Sequence, residues 1–325
     1  MDFQIKILLI AFFITVILSI IIIPILKKLK IGQQERDDGP QTHIKKQGTP
    51  TMGGIIIMIS IIICSTGGFL YYKNSEVEVA KHILPLLITT VGFGIIGFID
   101  DFRKLILKNT KGLKPVFKML GLLIVAGAFT LYLTQVLNIG TDIIIPFAKT
   151  TITLPIWLYI PFTIIVMLSA TNAINLTDGI DGLATSITAI IITALTIIAI
   201  ILDVKEVVVF GTILIGACLG FLMFNMHKAK VFMGDLGSLM LGGAISTIAI
   251  YLKMPLILLI VAIVPIIETI SVMIQVIFFK ATGNRVFKMT PIHHHFELSG
   301  WKENKIVSVF CIVTLIFCIV GLYAI

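Results

Sequence analysis

Five aspartates stand at the ends of apolar runs: Asp100 and Asp101 close one, Asp178 and Asp181 open a second, and Asp235 opens a third. Carboxylates beside hydrocarbon are energetically costly and are functional-site candidates by default. Converging acids next to basic loops suit a divalent cation and phosphate groups, which points to phosphoryl chemistry at a membrane surface. Two acids at a helix C-terminus oppose the partial negative charge already there. A cation or a proton-transfer role for one of Asp100 and Asp101 would offset that cost; the structural alternative is neutralisation by Lys104, Lys108, Lys111 and Lys118. Asp178 and Asp181 are three apart and would share one face of a helical turn, or else cap the helix that follows. Asp235 is a natural Mg²⁺ ligand, since that ion takes one or two carboxylates together with waters and phosphates; capping is its alternative too.

Other polar residues cluster in the same connections. Lys46 leads into Gly48-Thr49-Pro50-Thr51-Met52-Gly53-Gly54, where backbone donors could hold a phosphate or a uracil edge, or where Thr51 simply caps a helix. The segment 172–182 carries Asn172, Asn175, Asp178 and Asp181 with glycines that admit a ligand to the backbone. Asn225 precedes Phe232-Met233-Gly234-Asp235, in which Phe232 could stack on a base or anchor at the interface. His293, His294 and His295 could contact phosphates or assist proton transfer, but adjacent residues do not match zinc-ligand spacing. Glu268 and Gln275 lie seven apart on one face of the ninth span. Gly92-Phe93-Gly94-Ile95-Ile96-Gly97 has the letters of a dinucleotide fingerprint but no strand before it, so close helix packing is its expected role.

The elements that must position these groups are transmembrane helices. The chain is 58% hydrophobic over 325 residues, with a mean hydropathy of +1.09. Ten apolar runs are long enough to span a bilayer: 3–26, 52–72, 83–99, 116–137, 152–171, 183–202, 206–226, 236–252, 255–279 and 304–325. They lack the alternation of barrel strands. The expected fold is an all-α, polytopic bundle, 1–325 forming one transmembrane domain with five cytoplasmic loops. Nineteen of the 25 Lys and Arg fall in alternate connections, which places that side in the cytoplasm with both termini outside. All five aspartates then face the cytoplasm. The net charge of +8 reflects this topology; no soluble basic face suggests nucleic acid. Cys64, Cys218, Cys311 and Cys318 lie within the spans without metal or disulfide spacing, as packing residues.

Taken together, GTPTMGG at 48–54, FIDD at 98–101, NAINLTDGIDGLA at 172–184, VFMGDLGSL at 231–239 and PIHHHFELSGW at 291–301 resemble the phospho-N-acetylmuramoyl-pentapeptide transferases. FIDD, the two-aspartate TDG segment and the GD turn resemble the wider superfamily of polyprenyl-phosphate sugar-1-phosphate transferases, and the histidine segment favours the muramoyl branch. The resemblance implies a bacterial cytoplasmic-membrane enzyme of peptidoglycan biosynthesis. Its donor would be UDP-MurNAc-pentapeptide, its acceptor undecaprenyl phosphate, its products lipid I and UMP, and its cofactor Mg²⁺. It implies that Asp235 holds the metal, with Asp178 a less favoured ligand, and that Asp100 or Asp101 activates the lipid phosphate, Asp100 preferred. Asp178 and His294 join the catalytic set. Lys46, Thr51, Asn175, Asp178, Asp181, Phe232, Gly234 and Gln275 would form the nucleoside end, His293, His294 and His295 would meet the diphosphate or sugar, and Asn172, Asn225, Lys104 and Lys118 would complete the substrate shell. The oligomeric state stays open, a homodimer included. Two rivals are a transferase using UDP-N-acetylglucosamine and, in another class, a cation transporter; one-sided acids and the lack of an internal repeat weigh against the latter.

Overall fold

The computed structural model describes residues 2–29, 48–105, 112–148 and 150–325. Ten helices within them are long and apolar enough to cross a membrane, and the protein is an all-α, multi-pass membrane protein. They are α1 (Asp2–Lys28), α2 (Gly54–Tyr72), α3 (Val77–Leu105), α4 (Pro115–Gln135), α5 (Ile156–Thr177), α6 (Leu183–Ile201), α7 (Lys205–Asn225), α8 (Gly234–Tyr251) and α9 (Ile263–Thr282), then, after a short α10 (Ile292–Glu297), α11 (Glu303–Tyr323). Only helices close all their backbone hydrogen bonds within a single lipid-embedded segment.

The spans at the two extremes of hydropathy differ in position. The most apolar span, α1 at 3.1, is only 28% buried and faces lipid, whereas α8, the least apolar at 1.2, is 89% buried. A helix enclosed by protein can carry small and polar residues that lipid would not accept. α8 is packed by α2, α3, α5 and α6. Its close neighbours depend on glycine: a Cβ at Gly97 of α3 would lie 2.2 Å from the Asp235 carbonyl oxygen, and one at Gly242 would lie 2.6 Å from the Thr171 Cα of α5. These approaches draw the acidic ends of α3 and α8 and the polar end of α5 to one place.

Several boundaries differ from those read off hydropathy. α3 runs 29 residues, about 44 Å at 1.5 Å per residue, so it projects past the hydrocarbon. Asp100 and Asp101 therefore sit inside the helix, not beyond its end, and a lysine one turn on supports the extension. α5 likewise continues through Asn172 and Asn175, and Asp178 follows its last residue. Asp178 and Asp181 thus precede the helix α6 without sharing a helical face; Gly182, at φ +74°, begins it. The run at 255–279 is broken into a 3₁₀ turn (Pro255–Ile257), one helical turn (Leu258–Val261) and α9, with Ala262 at φ −102°, ψ +28° between the last two. The start of the run at 152–171 is strand: β1 (Asp142–Ile145) pairs antiparallel with β2 (Thr150–Thr153), Asp142 opposite Thr153. Lys253 reaches Asp142 at 3.1 Å and ties this hairpin to the end of α8.

Both chain ends lie at the hairpin end, remote from the aspartates. Phe3 stacks on Tyr71, near the end of α2, with ring centroids 4.3 Å apart, and the Phe147 N–H donates to the Ala324 carbonyl at 2.7 Å.

Candidate active site

The first and fourth polar connections are clamped together by backbone. The Phe232 N–H donates to the Pro50 carbonyl at 2.8 Å, and the N–H groups of Gly53 and Gly54 donate to the carbonyls of Phe232 and Met233 at 2.8 and 2.9 Å. This lays Thr51 beside Gly234. The backbone at Gly234 is left-handed (φ +75°), and an added Cβ would meet the Asp101 carboxylate at 2.7 Å and the Thr51 hydroxyl at 3.0 Å. Glycine is needed here on both counts.

At the centre lies a network of acids and lysines. Asp100 and Asp235 come from α3 and α8, 135 positions apart in sequence, and share two ammonium groups. Lys104 Nζ lies 2.8 Å from Oδ2 of each carboxylate, and Lys118 Nζ lies 3.3 Å from Asp100 Oδ2 and 2.9 Å from Asp235 Oδ2. The remaining oxygens are also held. Asp100 Oδ1 accepts the Leu113 N–H at 2.7 Å. Asp235 Oδ1 accepts from the Asn175 side-chain amide at 2.8 Å, and that amide also donates to Ser238 Oγ. Asp101, buried, accepts the Leu236 N–H at 3.0 Å through Oδ2, which satisfies one of the free donors at the start of α8.

Asp178 is close enough to feel the charge of Asp235 and takes a backbone hydrogen bond from Gly234. Burial, then the charges of Asp235, Asp101 and Asp181, push its carboxyl up to about 8. Its ionised form is therefore disfavoured by folding: the group's contribution to stability is complete below its ordinary value of 3.8 and is lost as pH rises through about 8. Asp178→Asn is accordingly expected to raise the melting temperature of the chelator-treated protein in detergent by a few degrees at pH 9 and by much less at pH 5. An equal shift at both pH values would show that charge is not the cause. Active-site acids kept at a cost in stability are common.

Asp181, buried, accepts the Ala229 N–H at 3.0 Å and lies 3.4 Å from His227 Nδ1, which is 3.7 Å from Glu303. Among the described residues these three form a group whose potential metal-binding atoms lie within 4.8 Å of one another.

The histidine segment meets the same region. His293 is fully buried, with Nδ1 3.0 Å from Glu268 Oε1. His294 Nδ1 lies 2.6 Å from Glu297 Oε2, and His295 Nδ1 accepts the Lys288 N–H at 3.2 Å. A Cβ at Gly179 would fall 2.1 Å from His293 Nε2, so the segment abuts the turn that carries Asp178.

Asp100, Asp101, Asp178, Asp235, Lys104, Lys118, Asn175, Thr51, Gly234 and His293 are thus gathered at one end of the bundle. Three others have their polar atoms committed within the protein. Asn225, buried, accepts from Thr185 Oγ1 at 2.9 Å and donates to the Val231 carbonyl at 3.0 Å. Gln275 accepts from the N–H groups of Val286 and Phe287 and donates to the Phe287 carbonyl, bracing the connection after α9. Asn172 donates to the Leu168 carbonyl of its own helix at 2.7 Å. Lys46, Lys108 and Lys111 lie outside the described residues. Glu297, and Glu303 beside Asp181, are contributors that the sequence reading passed over. Glu297 lies within the PIHHHFELSGW segment but has no role assigned there, its spacing of three from His294 being the hint; Glu303 lies outside every motif.

The residues fit a hard divalent cation. Four carboxylates, Asp100, Asp101, Asp178 and Asp235, outnumber the two lysines, Lys104 and Lys118, and every donor they offer is oxygen.

A profile of glycosyl transferase family 4 matches residues 83–253, and the phospho-N-acetylmuramoyl-pentapeptide-transferase signature 1 matches residues 46–58. A phospho-N-acetylmuramoyl-pentapeptide-transferase of Acetivibrio thermocellus is 49% identical over 97% of this chain and 93% of its own. One of Clostridium kluyveri is 49% identical over 96% of each, and one of Halalkalibacterium halodurans is 48% identical over 97% and 95%.

Proposed function

The chain belongs to the phospho-N-acetylmuramoyl-pentapeptide-transferase family, and on that premise we propose that it transfers phospho-MurNAc-pentapeptide from its UDP carrier to undecaprenyl phosphate, forming lipid I and UMP in peptidoglycan biosynthesis. The observation that carries this reading is the pairing of Asp100 with Asp235 through Lys104 and Lys118. Phosphoryl transfer asks chiefly for positioning and charge neutralisation, and two lysines between two carboxylates are poised to exchange those partners for phosphate oxygens.

In this reading Asp100 is the base for the acceptor phosphate, Lys104 and Lys118 hold phosphate oxygens, and Asn175 fixes the orientation of Asp235. Thr51, Asp181 and Phe232 lie toward the nucleoside. Asp235 would carry Mg²⁺, with Asp178 the less favoured second ligand; the ion would supply charge stabilisation to the diphosphate and the UMP leaving group. An apolar cavity of about 340 Å³ lies between α5 and α9, lined among others by Phe162, Ile165, Ala173, Ile174, Pro265 and Ile266. Ala173 and Ile174 of its lining directly precede Asn175, and an apolar cavity there suits the prenyl tail of an acceptor whose phosphate head meets the lysines. The bias of Lys and Arg toward the connections at the acidic end supports a cytoplasm-facing site in the bacterial inner membrane, open to a soluble nucleotide donor.

The test is UMP release in detergent from UDP-MurNAc-pentapeptide and a polyprenyl phosphate, with and without Mg²⁺. Turnover of UDP-N-acetylglucosamine alone would overturn the donor assignment. Cation flux in proteoliposomes without UMP release would overturn the transferase.

A further inference from the structure

Glu268 of α9 and His293 of α10 form a fully buried pair that catalysis at Asp100 and Asp235 leaves unused. Glu268 Oε1 lies 3.0 Å from His293 Nδ1, while Oε2 accepts the backbone N–H of the same histidine at 3.4 Å. An ionised carboxylate only accepts, so this two-point grip keeps a proton on Nδ1 and fixes the ring's rotation. Nε2 is then the nitrogen left to act, and it is buried with no hydrogen-bond partner. A buried polar atom without a partner is a departure from the usual full pairing of such atoms. It points at the turn 178–181, where only the missing side chain of Gly179 lets the backbone close over the ring, since a Cβ would lie 2.1 Å away. His294 is held by a different acid, Glu297, so the Glu268 grip is particular to His293.

We propose that Glu268 is a positioning residue that acts through His293. It holds Nε2 against the Asp178 turn, where that nitrogen serves the sugar–diphosphate part of the donor. This rests on the function proposed above.

Glu268→Gln tests it. Glutamine keeps the volume but puts an NH₂ donor in place of one of the two accepting oxygens; with its oxygen on the backbone N–H, that donor faces Nδ1. The ring is expected to move its proton to Nε2. The turnover number for UMP release should fall roughly 10–100-fold, with the donor KM little changed. In a His293→Ala background the same substitution should have no further effect. Gly179→Ala, which leaves Glu268 intact and drives a methyl onto Nε2, should reproduce the loss. Independently of turnover, the ¹⁵N resonances of His293 should report the proton on Nδ1 in the parent and on Nε2 in Glu268→Gln. Parental turnover in Glu268→Gln, or losses that multiply in the double variant, would overturn the proposal. A parent that never releases UMP sinks the transferase reading instead; the ¹⁵N signature then decides, and an Nε2-protonated parent overturns the positioning role.

Discussion

Asp235→Ala is expected to lower UMP release roughly a thousandfold while the protein remains folded. The side chain is the meeting point of the site: Oδ2 receives both Lys104 and Lys118, and Oδ1 receives Asn175. Without it the two lysines retain only Asp100, and nothing holds them at the spacing that the two carboxylates set. The oxygen proposed for Mg²⁺ disappears with it. The fold should survive because α8 is anchored by its apolar and glycine contacts, not by this acid. Alanine is a good helix former, and loss of a negative charge in the first turn costs only about 0.3–1 kcal/mol. Initial rates across a Mg²⁺ titration, beside a melting curve, provide the check. Near-parental rates at saturating Mg²⁺ would remove Asp235 as a ligand, and a collapsed melting curve would make the loss structural.

The acids and the spans were legible in the chain for one reason: in a sequence this apolar, each charge and each break in hydropathy stands out. The ten spans expected are present as helices. What hydropathy could not show is where a helix stops once it leaves the lipid. α3 runs on through Asp100 to Leu105 because Lys104, four residues on, pairs with Asp100, an arrangement that a count of apolar residues scores as loop. The 142–153 hairpin was hidden by length, since two four-residue strands leave little periodic signal. The break at Ala262 carries no proline or glycine of its own. Long-range satisfaction was equally invisible. Asn225 and Gln275 enter the substrate shell through the family resemblance, and no local pattern shows that their amides also hold Thr185, Val231 and the 286–287 backbone. Conversely, Glu268 and His293 are 25 residues apart, and nothing local says that they meet.

Asp100→Asn should separate the two adjacent acids by role. Asp101 builds the site: its Oδ2 receives the Leu236 N–H and lies against Gly234. Asp100 instead turns Oδ2 toward Lys104 and Lys118 and keeps Oδ1 on the Leu113 N–H. An asparagine at 100 can retain the Leu113 bond through its carbonyl, so the shape of the connection persists. Its amide then faces two ammonium groups, donor against donor, and it can no longer take a proton from the acceptor phosphate. Turnover should drop roughly 100–10,000-fold, the range for a lost general base, with binding of the UDP donor or UMP little altered because the nucleoside end is untouched. Asp101→Asn should instead lower the melting temperature, since it weakens the bond that seats α8. Unchanged turnover of Asp100→Asn across pH would deny it the proton-transfer role. Matching losses of turnover and nucleotide binding would mean that Asp100 positions the donor and that the base lies elsewhere in the cluster.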